Sequence, residues 1–301
     1  MITEETPLQK VLILGATGML GHVLLRKLAG TGRYDVHGTA RDRAVLAGHV
    51  PGHVLDRVSA GVDATELTTV RGLLHDVRPD VVINAIGVIK QDPKAADPVT
   101  AITVNALFPH ELARECLTID ARLIHVSTDC VFSGRSGGYT EDSPEDPRDL
   151  YGRTKLLGEV TAPALVLRTS IIGHELSGHR SLVEWFLNST GIVQGFTNAV
   201  YSGVTTIEFA RLLADVVLPR PDLAGLLHVA AEPITKHDLL HLLSREYDWA
   251  GTIVPDGQLR CDRSLDATRL RDLTGYRPPD WPSMIRDLRA STTQYHRTVA
   301  A

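Results

Sequence analysis

The segment "VLILGATGMLGHVLLRKLA", residues 11–29, constrains the fold of this chain more than any other. An apolar run is followed by a turn with glycines at 15, 18 and 21, and then by an amphipathic helix pattern. Glycines permit a positive φ and let a backbone approach a pyrophosphate, which the N-terminus of the next helix stabilises. The segment therefore predicts a dinucleotide site, with cofactor contacts from Gly15, Thr17, Gly18, Met19 and Leu20.

A tight strand-to-helix connection without a ligand is the alternative reading of a glycine turn. The GxxGxxG spacing differs from the GxGxxG of many simple dehydrogenases and points to a subgroup of nucleotide-binding folds. The strand before the turn and the helix after it favour cofactor binding.

Short apolar runs alternate with helix-period segments over residues 8–170, and runs that do not alternate with polar residues are typical of strands buried on both faces. This pattern predicts an α/β fold with a doubly wound parallel (Rossmann) sheet. The expected strands are Leu8–Leu14, Tyr34–Gly38, Val58–Val62, Val81–Ala85, Leu123–Val126 and Ala164–Arg168. The expected helices are Met19–Ala29, Ala64–Val77, Pro98–Leu117 and Leu150–Val160.

Beyond residue 170 the pattern becomes less regular, and no linker separates it from the first part. We expect helices at Thr206–Val217 and Lys236–Tyr247, and a strand at Leu226–Ala230 that joins the main sheet. The predicted division is a cofactor domain of residues 1–170 plus about 204–230. Residues of about 171–203 and 231–301 form a smaller C-terminal substrate-binding lobe.

Composition limits the functional classes. A net charge of −5 with scattered arginines argues against nucleic-acid binding, and no apolar run approaches the length of a membrane span. The N-terminal residues lack a signal-peptide pattern, so we expect a cytoplasmic protein. Three cysteines without CxxC spacing are typical of reduced thiols, two of them, Cys116 and Cys261, in the core.

The segment after the second strand indicates which dinucleotide is bound. "VHGTARDR" offers Thr39, Arg41 and Arg43 where many NAD-binding proteins place an acid for the ribose hydroxyls. A guanidinium suits a 2′-phosphate, so NADPH is favoured and NADH is the alternative cofactor. The alternative interpretation of Arg41 is a solvated loop charge without a ligand. Further cofactor contacts are expected from Asp63 and Ala64 beside adenine, and from Asn84, Ala85 and Ile86.

In "LYGRTK", Tyr151 and Lys155 are four residues apart and share a helix face. Thr128 ends the fifth predicted strand, at the edge of the sheet where the cofactor crevice opens. A tyrosine needs about 4 kcal/mol of phenolate stabilisation to reach a pKa near 7. We expect Lys155 and the nicotinamide to provide it, while Tyr151 protonates and Thr128 hydrogen-bonds a carbonyl oxygen.

These motifs, with Asn105 in "TVNALFPHELA" and "LRTSIIG", resemble the extended short-chain dehydrogenase/reductases, and in particular the dTDP-4-dehydrorhamnose reductase-like sugar-nucleotide enzymes. The resemblance covers most of the chain. It implies NADPH-dependent reduction of a nucleotide-linked 4-keto-deoxysugar by Thr128, Tyr151 and Lys155, with Asn105 in support. A homodimer is common among such enzymes. The substrate contacts that we expect are Thr128, Asp129, Asn198, Tyr201, Thr205 and Arg263.

Cys130 departs from this pattern, because the related reductases usually carry an aromatic residue there and the related dehydratases a glutamate. Enzymes similar to GDP-fucose synthase place a cysteine at this point and use a histidine further on, for which His179 is the candidate here. A bifunctional 3/5-epimerase/4-reductase that uses Cys130 and His179 is therefore one alternative. A non-catalytic NADP-binding regulatory protein is the other, although the retained Thr128, Tyr151 and Lys155 argue against it.

Overall fold

The chain folds around one sheet of seven parallel strands in the order β11-β6-β5-β4-β1-β2-β3. The computed structural model describes residues 7–89, 91, 97–160 and 162–296. This order is that of a doubly wound dinucleotide-binding sheet with one further strand at its edge, which confirms the expected fold class. The strands of the sheet are β1 Gln9–Leu14, β2 Tyr34–Thr39, β3 Val58–Ser59, β4 Val81–Asn84, β5 Arg122–Thr128, β6 Leu165–Thr169 and β11 Gly225–His228.

Helices cover both faces of the sheet, and β1 shows how. Val11 and Ile13 point into a core shared with the helices that follow residues 20 and 205, whereas Leu12 and Leu14 point into the opposite core. The helices are α1 Gly21–Gly30, α2 Gly52–Leu55, α3 Leu67–Val77, α4 Pro98–Ile102, α5 Phe108–Thr118, α6 Leu150–Leu157, α7 Leu182–Asn188, α8 Thr206–Leu212, α9 Lys236–Glu246, α10 Thr268–Thr274 and α11 Trp281–His296. No helix in the described ranges is long and apolar enough to span a membrane.

The C-terminal part of the chain forms small sheets beside the carboxyl edge of the main one. Their strands are β7 Ile171–Ile172, β8 Ile192–Phe196, β9 Ala199–Tyr201, β10 Val204–Thr205, β12 Ile234–Thr235, β13 Thr252–Asp256 and β14 Cys261–Asp262. Gly225–His228 pairs in parallel with β6, so the strand expected near residues 226–230 lies in the main sheet. Cys116 is buried, but Cys261 is only half-buried in β14, which corrects the expectation that both are core residues.

A buried ion cluster fastens the segment after α6 to the centre of the sheet. The Arg168 side chain is 1% exposed, and its Nε and Nη2 donate to the two carboxylate oxygens of Glu159 at 2.7 and 2.6 Å. Glu145 also accepts from Arg168, and the Ser127 hydroxyl donates to Glu159 at 2.6 Å. Since Ser127 lies beside Arg168 in the register of β5 and β6, the cluster sits one residue from Thr128.

Replacing the buried guanidinium should destabilise the fold. We expect Arg168→Met to lower the free energy of unfolding by about 3 kcal/mol, because it leaves the Glu159 carboxylate buried without its counter-charge. Arg289→Met is the matched control. Its ion pair with Asp248 is exposed, and its loss should cost less than about 1 kcal/mol. Urea unfolding of both variants measures the difference, and equal losses would contradict the assignment.

Candidate active site

The predicted site residues converge on the carboxyl edge of the sheet. Strand β1 lies between β2 and β4, and the register pairs Leu14 with Asn84 and Asn84 with His125. The glycine turn after β1, the loop after β4 and the end of β5 at Thr128 therefore open onto one crevice.

The glycine turn is shaped as a cradle. Gly15 has φ +84°, and its N–H donates to the Thr39 hydroxyl at 3.1 Å, which ties the turn to the end of β2. A Cβ on Gly21 would overlap the Gly15 carbonyl, so glycine is required where α1 begins. The first N–H groups of α1 face the crevice end of the sheet, as pyrophosphate binding requires. This backbone fits a dinucleotide.

The residues expected around the adenosine lie at the ends of β2, β3 and β4. Arg41 and Arg43 are exposed just beyond β2. Ala64 is buried, and an Asp63 carboxylate oxygen accepts from the Thr65 N–H at 2.9 Å. Asn84 is buried and accepts from the Ile86 N–H at 3.1 Å, which fixes the wall that was expected at residues 84–86.

Helix α6 begins against the turn that follows β5. Asp149 caps the helix by accepting from the Gly152 N–H at 2.8 Å. A Cβ on Gly152 would overlap the Cys130 carbonyl oxygen, so this glycine permits the close approach of helix and turn. The approach brings the Tyr151 hydroxyl beside the Thr128 side chain, whose hydroxyl donates to Asp129 Oδ1 at 3.2 Å.

Asn105 lies behind α6 and holds the loop after β4. It sits in a π-helical turn, Thr103–Leu107, which joins α4 to α5. Its Oδ1 accepts from the Val88 N–H and its Nδ2 donates to the Val88 carbonyl, both at 2.9 Å. Nδ2 also donates to the Thr154 hydroxyl of α6 at 3.3 Å. Asn105 is therefore a positioning residue in this structure.

Burial keeps the Tyr151 hydroxyl protonated. Desolvation raises the pKa of Tyr151 above its ordinary value, and the nearby Cys130 adds to the effect, while the neighbouring Thr128 hydroxyl opposes it. In the protein without cofactor, desolvation therefore dominates the pKa of this tyrosine, and the effect that is expected of Lys155 with a bound nicotinamide stays a prediction. The protonated phenol is the form that a proton donor needs.

Lys155 is almost fully buried beneath the site. Its Nζ donates to the Val126 carbonyl of β5 at 2.8 Å. Desolvation lowers the pKa of Lys155 to about 8, although Glu159 opposes the shift. The amine is therefore held against the strand that ends in Thr128, one helical turn from Tyr151.

Arg263, which follows β14, contacts the turn after β5. Its Nε donates to the Phe132 carbonyl at 2.8 Å, and its Nη1 lies 3.4 Å from the Cys130 Sγ. Burial raises the pKa of Asp129, and the Arg263 charge opposes this. Arg263 therefore contacts the turn that contains Asp129 and Cys130, rather than lying in a surface ion pair.

The other residues expected to bind substrate or act as acids are more dispersed. His179 is exposed in the loop before α7, whereas nearby His174 is buried between Glu184 and Tyr247. Asn198 donates to the Gly257 carbonyl at 2.9 Å, and Tyr201 is buried. Thr205 is fully buried and caps α8 by accepting from the Glu208 N–H, which gives it a structural role.

Sequence reasoning missed the two glycines that position α6. A Cβ on Gly152 would overlap the Cys130 carbonyl, and one on Gly158 would overlap the Asn105 carbonyl. The available signal was that both lie inside the predicted helix Leu150–Val160, because glycine is unfavourable in a helix interior.

A family model described as the RmlD substrate binding domain matches residues 9–246. A dTDP-4-dehydrorhamnose reductase of Mycolicibacterium smegmatis is 37% identical over 231 residues, which are 74% of this chain and 64% of that relative. The chain thus spans less than two thirds of the length of this relative. Methionine adenosyltransferase 2 subunit beta of Mus musculus is 26% identical over 335 residues, covering 98% of this chain and 95% of that protein.

Among solved structures, a dTDP-4-dehydrorhamnose reductase of Bacillus anthracis in complex with NADP superposes with a TM-score of 0.78. It covers 95% of this chain and 100% of that chain at 19% identity. At this identity the likeness shows a shared fold, which hosts more than one function.

The buried lysine predicts a specific pH dependence of stability without cofactor. Because the pKa of Lys155 is about 8 in the fold and near 10.5 when unfolded, the unfolded state binds more protons between these values. The free energy of unfolding of the wild type should therefore rise by about 3 kcal/mol across this window relative to Lys155→Met. Chemical denaturation of both proteins from pH 7 upward measures this; parallel profiles would contradict it.

Proposed function

The chain belongs to the RmlD substrate binding domain family, and on that premise we propose that it reduces the 4-keto group of a nucleotide-linked deoxysugar with NADPH. The observation that carries the proposal is the Tyr151 hydroxyl beside Thr128 at the crevice, with Lys155 one turn further along α6. The names of the reductase relatives support dTDP-4-dehydrorhamnose as the first substrate to test.

The glycine turn fits the pyrophosphate of NADPH, because Gly15 has a positive φ and Gly21 lets the start of α1 lie directly against the Gly15 carbonyl. Arg41 and Arg43, exposed beyond β2, offer guanidinium groups to the 2′-phosphate. When bound, NADPH supplies the hydride for the carbonyl carbon.

Tyr151 acts as the general acid. Its raised pKa keeps the hydroxyl protonated, so it donates its proton to the oxygen as negative charge develops there. The Thr128 hydroxyl lies beside Tyr151 and is itself held in place, because it donates to Asp129 Oδ1 and accepts from the Cys130 N–H, both at 3.2 Å. The two hydroxyls together orient the ketone oxygen.

Lys155 assists the same proton transfer through its charge. As an ammonium it stabilises the phenolate that Tyr151 becomes and holds the cofactor ribose. Asn105 keeps α6 and the loop after β4 at a fixed separation through Thr154 and Val88. This positioning keeps the acid in place when the substrate enters.

We propose that the sugar nucleotide lies between the turn after β5, which contains Asp129 and Cys130, and the C-terminal lobe. Asp129 is placed to contact the sugar, and Arg263, which already touches this turn, to contact the diphosphate. Asn198 and Tyr201 belong to the same lobe and are the further candidates for substrate contacts.

Reduction alone is favoured over the two alternatives. The reductase names of the relatives support it over epimerisation, and the Cys130 thiol lies beside Arg263 whereas His179 is exposed in a separate loop. The assembled Thr128, Tyr151 and Lys155 support catalysis over a purely regulatory role. A cytoplasmic location and a homodimer remain predictions.

The role of Tyr151 is tested by Tyr151→Phe. Turnover of dTDP-4-dehydrorhamnose, followed as NADPH oxidation, should fall by about 10²- to 10⁴-fold because the proton donor is removed. NADPH affinity should stay within a factor of about two, since the ring remains. Tyr34→Phe, at the start of β2, is the matched control and should retain turnover; an equal loss in both variants would contradict the role.

Cofactor choice is tested by Arg41→Ala. Loss of a charge-assisted contact to the 2′-phosphate should raise KM for NADPH roughly tenfold and leave KM for NADH unchanged. Arg114→Ala, which removes an exposed arginine of α5, is the control. Steady-state kinetics with both cofactors measure the effect, and an equal change for NADPH and NADH would argue against a 2′-phosphate contact.

A further inference from the structure

Two histidines of α9 face each other at the surface of the C-terminal lobe. His237 and His241 are four residues apart, and their Nε2 atoms lie 3.3 Å from each other. The rings meet edge to face with centroids 4.6 Å apart. We propose that these two Nε2 atoms form a solvent-accessible site for a divalent transition metal of the Zn²⁺ class.

The separation of the two nitrogens suits a shared metal. With metal–nitrogen bonds of 2.0–2.1 Å and a tetrahedral angle, two imidazole nitrogens on one Zn²⁺ are about 3.3 Å apart. The 3.3 Å between the two Nε2 atoms meets this value without movement of the helix. Rotation of the two rings, which now meet edge to face, would direct both lone pairs at one ion.

A carboxylate already fixes the tautomer of one ligand. His237 Nδ1 lies 3.1 Å from Asp238 Oδ1, and since a carboxylate only accepts, Nδ1 carries the proton. Nε2 of His237 is then a lone-pair acceptor, as in the carboxylate–histidine–metal arrangements of known sites. Asp238 is itself held by the Thr235 hydroxyl, which donates to it at 2.7 Å.

The second ligand is available as a neutral ring. In the protein without metal, His241 Nε2–H donates to His237 Nε2. Metal binding replaces this shared proton, which moves to the exposed Nδ1 of His241, so that no net proton is released.

Packing restricts the His237 ring in advance. A Cβ on Gly195 of β8 would lie 2.9 Å from His237 Cδ2, so the ring rests on the bare backbone of that strand. His241 is exposed, which leaves room for water ligands. Among the described residues no group of three or more metal-ligating side chains occurs, so this site has two protein ligands and exchanges its metal readily.

Calorimetric titration with zinc chloride tests the site in the full-length chain. The wild type should bind one Zn²⁺ per chain, and His237→Gln or His241→Gln should weaken binding at least roughly tenfold, because the chelate is lost. His53→Gln, which removes an exposed histidine of α2, is the matched control and should bind as the wild type does.

Imidazole ¹⁵N NMR detects metal coordination by the ring nitrogens, and a change in the stability of the fold does not imitate that signal. Added Zn²⁺ should shift the Nε2 resonances of two histidines, and both shifts should vanish in the His237→Gln/His241→Gln double variant. Undiminished Zn²⁺ affinity in that variant, or Zn²⁺-dependent shifts that persist in it, would overturn the proposal. Neither result bears on the reductase activity, because the pair is outside the catalytic residues.

Discussion

The close contact between α6 and the turn after β5 is the interaction on which the candidate site depends. Gly152 lets the first turn of the helix rest against the Cys130 carbonyl, and Gly158 lets its end rest against Asn105. Both contacts would be lost to a single methyl group. Tyr151 and Thr128 lie side by side because two backbones meet at this distance, and interiors packed at this density leave little room for adjustment.

Burial has opposite effects on the pKa values of Tyr151 and Lys155 in α6. It raises the pKa of Tyr151 and lowers that of Lys155, since both shifts favour the uncharged form. The protein thus holds Tyr151 in its protonated form. The charged form of Lys155 lowers the stability of the fold, because the amine is buried. Such a cost is common at sites where groups are prepared for chemistry. The Arg168–Glu159 pair, anchored to Ser127, supplies rigid support one residue away.

Much of the fold follows from local patterns. The apolar runs predicted β1, β2 and β4–β6 to within two residues, because strands buried on both faces leave an unbroken apolar signature. The sequence did not predict the short strands β7–β10 and β12–β14. It predicted only that the region after residue 170 is less regular. Strands of two to five residues carry too little pattern, and long-range pairing decides them.

The sequence by itself determined the glycine turn, the Tyr151–Lys155 spacing and the family resemblance, because each is a short-range pattern with a direct chemical meaning. Only the tertiary structure decided that desolvation raises the pKa of Tyr151, that Arg263 reaches the Cys130 turn and that Thr205 caps a helix. It also placed the α9 histidines with their Nε2 atoms face to face. These properties depend on which distant segments exclude water from a side chain, and sequence spacing carries no information about that.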